Sequence, residues 1–314
     1  MDNYISQDKE ESLQEVNESH ENKNYSFEEE QSVIETNEGC ITTKNGSGSQ
    51  KFFYTEIMST AGPRKDFKED AHEGDYDLGE DVVGCFTKKD KTYFWLLDGT
   101  SDNPIVKTID GTELFSSRLL AQEAAWHIQK ILWDDHPKEM SSSIDILELS
   151  FQEIQKNWNE KFNKLSESDK QALLDILKEK KQMVVSSTVI FGIMNLEGDL
   201  DISRIGDSYI ITNPVHEFEE NTGRLFVIAF STEDNESIKI AINSFEDTRC
   251  QHFERKNINT LIIASDGISK NTIRWLNIKP IEIRNESLRK TISAIKQKTC
   301  DDKAMCIIQI CNDV

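Results

Sequence analysis

Acidic residues recur beside glycine, or beside a second acid, where apolar β-branched runs begin or end. Asp98-Gly99 follows Thr92–Leu97, Gly206-Asp207 follows Leu200–Ile205, Asp266-Gly267 follows Thr260–Ala264, and Asp301-Asp302 precedes Ala304–Cys311. If these runs are strands, three strand exits and one strand start can meet at one end of an antiparallel stack and gather their carboxylates. Such a cluster repels itself unless cations fill it. Oxygen-only ligands select hard ions such as Mg²⁺ or Mn²⁺. The neighbouring glycines permit tight turns that let a backbone carbonyl reach an ion. Each Asp-Gly taken alone is a hairpin-turn signal, so the inference rests on the joint pattern and its order.

The elements that must position these acids run strands, helices, strands, helix, strand. Phe52–Met58 opens the ordered part, and Val82–Phe86 and Thr92–Leu97 form a hairpin around Lys88-Lys89-Asp90-Lys91. Glu113–Trp133 has a helical period, with Ala121, Ala124, Ala125, Ile128, Ile131 and Leu132 on one face. Leu147, Phe151, Ile154, Trp158, Phe162 and Leu165 make a second helical stripe, which reads as ordinary core. Ser168-Asp169-Lys170-Gln171 matches a capping box and predicts the start of a third helix that ends near Lys181. Val184–Met194, Leu200–Ile205, Tyr209–Thr212, Leu225–Phe230, Ile238–Ile242, Thr260–Ala264 and Ala304–Cys311 read as strands, and Ser287–Lys298 as a helix. Runs of strands interrupted by helical pairs predict an α+β domain built on antiparallel sheets.

The same residues resemble, in order, the motifs of the PP2C-type (metal-dependent) serine/threonine protein phosphatases. Glu69-Asp70-Ala71-His72, Phe94-Trp95-Leu96-Leu97-Asp98-Gly99, Ser187-Thr188-Val189, Arg204-Ile205-Gly206-Asp207-Ser208, Ile262-Ile263-Ala264-Ser265-Asp266-Gly267 and Asp301-Asp302-Lys303-Ala304 carry the likeness, which covers residues 56–310. Each segment is weak alone; their shared order is specific. The resemblance implies an antiparallel β-sandwich flanked by helical layers, with two Mg²⁺ or Mn²⁺ ions at one end and a third in some members. It implies Asp70, Asp98, Asp266 and Asp301 as metal ligands, Gly99 as a carbonyl ligand, and Glu69 as the holder of metal-bound water. Asp207, with Asp266, matches the position of the extra ion, and Asp301 is preferred over Asp302 because Ala304 then falls where the family has Thr. The implied reaction is attack of a water bridging two ions on phosphoserine or phosphothreonine of a protein substrate, with no Cys or Ser nucleophile.

Departures from the pattern bear on turnover. Arg64, matched to the arginine that grips substrate phosphate, lies one residue further from Asp70 than usual, and Lys65 holds the usual spacing without the guanidinium fork. Thr100 stands where many members have His after Asp-Gly, and a threonine does not supply a proton near neutral pH. The stretch Asn213–Asn259 lacks the family's usual segment, so the substrate-selecting flap is expected to differ. These points leave two alternatives: a PP2C-like pseudophosphatase acting as a binding or regulatory module, and a two-metal hydrolase of small phosphoesters.

Composition divides the chain. Its 314 residues carry a net charge of −21. Residues 1–50 hold twelve acids and three bases, leaving −12 for the remainder. This Glu/Asn/Ser-rich stretch has too few large apolar groups to offset its ordering entropy, so residues 1–51 are expected to be a disordered acidic tail before a domain at 52–314. The acidic balance argues against general nucleic-acid binding. No apolar run approaches the roughly 18 residues needed to cross a bilayer, so no membrane partner is expected. The six cysteines form no Cys-x-x-Cys pair, which favours buried free thiols and a reducing, cytoplasmic-type compartment.

Overall fold

The computed structural model describes residues 40–44, 51–60, 80–100, 106–107, 113–133, 142–216, 218, 226–233, 237–278 and 302–312. Two antiparallel sheets form the frame. The first contains β1 (Cys40–Lys44), β2 (Lys51–Thr60), β9 (Tyr209–Asn213), β13 (Thr260–Ala264) and β14 (Lys303–Asn312), in the order β1-β2-β14-β13-β9. The second contains β3 (Val82–Lys88), β4 (Lys91–Gly99), β7 (Gln182–Asn195), β8 (Leu200–Ile205), β10 (Phe226–Glu233), β11 (Ser237–Ile242) and β12 (Gln251–Arg255). Its long strand β7 pairs with β4 along one edge and with β10 and then β8 along the other. A short pair, β5 (Val106–Lys107) and β6 (Glu113–Phe115), precedes α1 (Ser117–Trp133); α2 (Ser143–Asn163), α3 (Glu167–Lys180) and α4 (Lys270–Ile278) complete the described elements.

Side-chain alternation assigns each strand residue to one of two packed layers. On β4, Phe94 and Leu96 point into the layer between the sheets, where they join Phe53, Ile190, Ile202, Leu261, Ile263 and Ile308. Their neighbours Trp95 and Leu97 point the other way, onto Leu120, Ile128, Leu147, Phe151 and Trp158 of α1 and α2. On β13, Leu261 and Ile263 face the second sheet, while Ile262 and Ala264 face Ile268 and Ile273. The order of layers is therefore helices, sheet, sheet, helix. Strands buried on both faces read as continuous apolar runs, which is why Val184–Met194 and Thr260–Ala264 were legible as strands.

Several details differ from the expectation. Cys40–Lys44, inside the expected tail, is a strand paired with β2 from Cys40↔Glu56 to Lys44↔Phe52; its Ile-Thr-Thr centre is β-branched. The rest of residues 1–50 lie outside the described residues. The third helix is capped by Ser166, whose Oγ accepts from Asp169 N at 3.1 Å, and not by Ser168. Ser166-x-x-Asp169 meets the same capping requirement one half-turn earlier. The helix expected over Glu113–Trp133 begins at Ser117, after β6. The expected helix Ser287–Lys298 lies outside the described residues. Among the described residues no helix is long and apolar enough to cross a membrane.

Gly192 of β7 makes room for the ring of Phe94, its register partner on the neighbouring strand β4 of the same sheet. A Cβ there would lie 2.3 Å from the Phe94 ring and 2.9 Å from the Asp201 carbonyl oxygen. Gly192→Ala is expected to lower unfolding free energy by about 1–3 kcal/mol through overpacking, read as a reduced urea midpoint at unchanged slope.

Candidate metal centre

One end of the sandwich collects strand termini from both sheets. In the first sheet, Ala264 at the exit of β13 lies opposite Tyr209 at the start of β9 and opposite Met305 near the start of β14. Lys303, the first residue of β14, lies opposite Thr60, the last of β2. Ser265 clamps this edge: its N–H donates to the Ala304 carbonyl at 2.9 Å, and its Oγ accepts from Ala304 N at 2.9 Å. Asp266 follows Ser265 directly, Asp207 lies two residues before β9, and Asp302 immediately precedes β14.

The second sheet brings Asp98 and Gly99 to the same end. Asp98 pairs in register with Thr188 of β7, and Gly99 with Ser187. Thr188 is also the seat of the β8–β9 turn: its Oγ1 lies 2.9 Å from Ser208 Oγ. Gly206 adopts φ +101°, and a Cβ on it would meet Thr188 Cγ2 at 2.6 Å. Asp207 is thus held between two residues anchored on the register partner of Asp98. The sheets are tied directly as well, since Glu80 N–H donates to the Asp302 carboxylate. Glu80 in turn packs under Gly99, whose Cβ position would be 3.1 Å from the Glu80 carbonyl oxygen.

Asp98, Gly99, Asp207, Asp266 and Asp302 are therefore gathered by strand register at one end, with Asp207 and Asp266 exposed and Asp98 and Asp302 half-buried. Arg64, Glu69, Asp70 and Asp301 lie outside the described residues. The chain leaves β2 at Thr60 and rejoins the described residues at Glu80, both at this end. Every gathered donor is a carboxylate or a carbonyl oxygen, a set that fits hard divalent cations. Arg204, 2% exposed, spans the base of the turn, donating from Nη1 to the Ser208 carbonyl at 3.4 Å and from Nη2 to Gln251 Oε1 at 2.8 Å. Burial lowers its pKa, and the nearby Asp207 opposes that shift. A recess lined by Arg204, Tyr209, Phe218 and Lys270 has Asp207 in its wall. Cys250, close by on the Arg204 side, has its thiol pushed up to about 11 by burial. It stays protonated at neutral pH, and so lacks the thiolate a nucleophile needs.

Sequence reasoning missed a hydroxyl web behind Asp98-Gly99. Thr100 Oγ1 lies 2.7 Å from Ser186 Oγ and 3.3 Å from Ser117 Oγ, while Thr100 N–H donates to the Ser186 carbonyl at 3.1 Å. Ser186 N–H donates to Ser117 Oγ at 3.3 Å. The strand exit is thereby fastened to β7 and to the first residue of α1. The available signal was Ser186-Ser187-Thr188, three consecutive hydroxyl residues in an otherwise apolar strand.

The PP2C resemblance implied two antiparallel sheets packed face to face between helices, and the chain has that layer order. The fold is PP2C-like. No family model matches the sequence, and neither does any curated protein. Similar solved structures include RsbX in complex with magnesium, 10% identical with TM-score 0.45 over 87% of this chain and 100% of that one. The photosystem II phosphatase PBCP is 14% identical with TM-score 0.46 over 83% of this chain and 100% of that one. A phosphatase from a pathogenic strain of Toxoplasma gondii is 10% identical with TM-score 0.43 over 83% of this chain and 93% of that one.

Within this PP2C-like frame Thr100 is a fastening residue. Thr100→Val would leave the buried Ser186 and Ser117 hydroxyls short of a partner, and is expected to cost about 1–3 kcal/mol in urea unfolding. Thr100→Ser, which keeps the hydroxyl, should lose clearly less.

Proposed function

We propose that this chain is a metal-dependent protein phosphatase of the PP2C type, acting on phosphoserine and phosphothreonine of protein substrates. The observation that carries the reading is that Asp98, Asp207, Asp266 and Asp302 all stand at one end of the sandwich, through the register of β4, β7, β9, β13 and β14. Asp98, Asp266 and the Gly99 carbonyl, joined by Asp70 and Asp301, would hold two Mg²⁺ or Mn²⁺ ions, and Asp207 with Asp266 a third. Bound ions of this kind supply a water of lowered pKa and neutralise charge on phosphoryl oxygens.

The protein's own residues have separate tasks. Asp302 already accepts from Glu80 N–H, so it serves the joint between the sheets and leaves Asp301 for the ion. Glu69 would orient the attacking water, and Arg64 would grip the phosphate by its guanidinium fork. Thr100, fastened to Ser186, contributes position and no proton. Protonation of the leaving alkoxide then falls to water or to another residue. We place the enzyme in a reducing, cytoplasmic-type compartment, a reading supported by the buried or half-buried free thiols of Cys85, Cys250 and Cys306.

One observation favours a second reading, that of a PP2C-like binding module: the hydroxyl web at Thr100 replaces a titratable group beside the carboxylates. Hydrolysis of p-nitrophenyl phosphate and of a phosphothreonine peptide decides between them, with Mn²⁺, Mg²⁺ or EDTA present. Activity is expected with either metal and none with EDTA. Asp98→Asn and Asp266→Asn should each lose about a hundredfold or more while unfolding like wild type. Folded wild-type protein that shows no metal-dependent turnover on either substrate would favour the binding module.

A further inference from the structure

A separate group of donors lies on the helix-facing side of β8 and β12. Asp201 pairs in register with Glu254, and Ser203 with His252, so all four project on one face of the two strands. One ligand atom from each of Asp201, His252 and Glu254 lies within 4.8 Å of the others. His252 Nε2 is 3.0 Å from Asp201 Oδ1. The side chains of His252 and Asp201 are 28% and 21% exposed, so the group is within reach of solvent.

Asp201 is oriented from behind. The backbone N–H of Ser143, the first residue of α2, donates to both carboxylate oxygens at 3.1 and 3.2 Å, and Ser143 Oγ donates to Oδ1. Ser143 Oγ is itself 2.8 Å from Ser203 Oγ. Outer hydrogen bonds of this kind fix a carboxylate ligand and tune its ion. The His252–Asp201 contact could be an ordinary hydrogen bond, but that accounts for only two of the three groups. Glu254, opposite Asp201 in register, adds a third donor within reach of the other two.

We propose that Asp201, His252 and Glu254 form a second divalent-cation site, for a zinc-class ion. One imidazole and two carboxylates suit borderline ions such as Zn²⁺, with solvent filling the fourth position. The site is distinct from the strand-end centre, which offers oxygen alone. Asp201 and Asp207 are near opposite ends of β8, roughly 20 Å apart at about 3.3 Å per residue. An ion here ties the edge strand β12 to β8 and to the start of α2. The inference does not rest on phosphatase activity.

The test is Zn²⁺ titration of the full chain by calorimetry, in excess Mg²⁺ to occupy the oxygen-only centre, repeated with Co²⁺ to read the ligand field. Wild-type protein is expected to take up one zinc more than His252→Gln, or to bind it about tenfold or more tightly, with a Co²⁺ visible spectrum that the variant lacks. Should His252→Gln fail to fold, the exposed carboxylate variant Glu254→Gln decides, because its loss leaves the Asp201–Ser143 bonds in place. Equal zinc stoichiometry and affinity in wild type and a folded variant overturn the site. Phosphatase assays on the same samples report separately on the strand-end centre, so failure of one reading is distinguishable from failure of the other.

Discussion

The register of the strand ends is the constraint on which this end of the fold depends, because it decides where each acidic turn stands. The chain holds each of these acids through its neighbours. Asp266 follows a serine clamped to Ala304, and Asp207 sits between Gly206 and Ser208, both seated on Thr188. Asp98 is fixed by its strand register with Thr188 itself. Turns anchored in this way hold these carboxylates at fixed places along the strand ends.

The joint between the two sheets is part of the same arrangement. Between them the sandwich is filled by apolar side chains such as Phe53, Phe94, Leu96, Ile263 and Ile308, which set the spacing but carry no directional information. At the open end direction comes from polar bonds, the Asp302–Glu80 bond and the packing of Glu80 under Gly99. A shift of one sheet along the other would break these bonds before it exposed much apolar surface. Asp302 thus acts as a strut between the sheets at this strand start.

Much of this was legible in the sequence because the informative residues are strand ends. A buried strand announces itself as a β-branched run, and an Asp-Gly at its end marks where the chain turns. Thr92–Leu97, Leu200–Ile205 and Thr260–Ala264 were visible for that reason, and their order is what exposed the family resemblance. The edge strand β12 was not visible, because Gln251-His252-Phe253-Glu254-Arg255 has a single large apolar residue and alternates in burial. Its stability comes from pairing with β8 and not from any pattern of its own. The cap of α3 was displaced by two residues because Ser166 and Ser168 both satisfy the local rule, and Ser166 is the one whose Oγ accepts from Asp169 N. The hydroxyl web at Thr100 joins residues 69 and 86 positions apart, a separation at which no local periodicity can report contact.

Thr100 bears on chemistry as well as on stability. A titratable group beside Asp98 could act as an acid for the departing alkoxide, whereas a threonine hydroxyl shared with Ser186 and Ser117 is committed to structure. If the chain is the phosphatase proposed above, lacking an acid at this point costs at most the share of catalysis that proton transfer supplies, about a hundred- to ten-thousandfold. Positioning and electrostatic stabilisation of the phosphoryl group remain, and in phosphoryl transfer these are the dominant contributions. The substitution is therefore compatible with an enzyme that depends more heavily on its ions and on solvent for the last proton. In such an enzyme the rate should respond more to the metal than to titration of any single side chain beside Asp98.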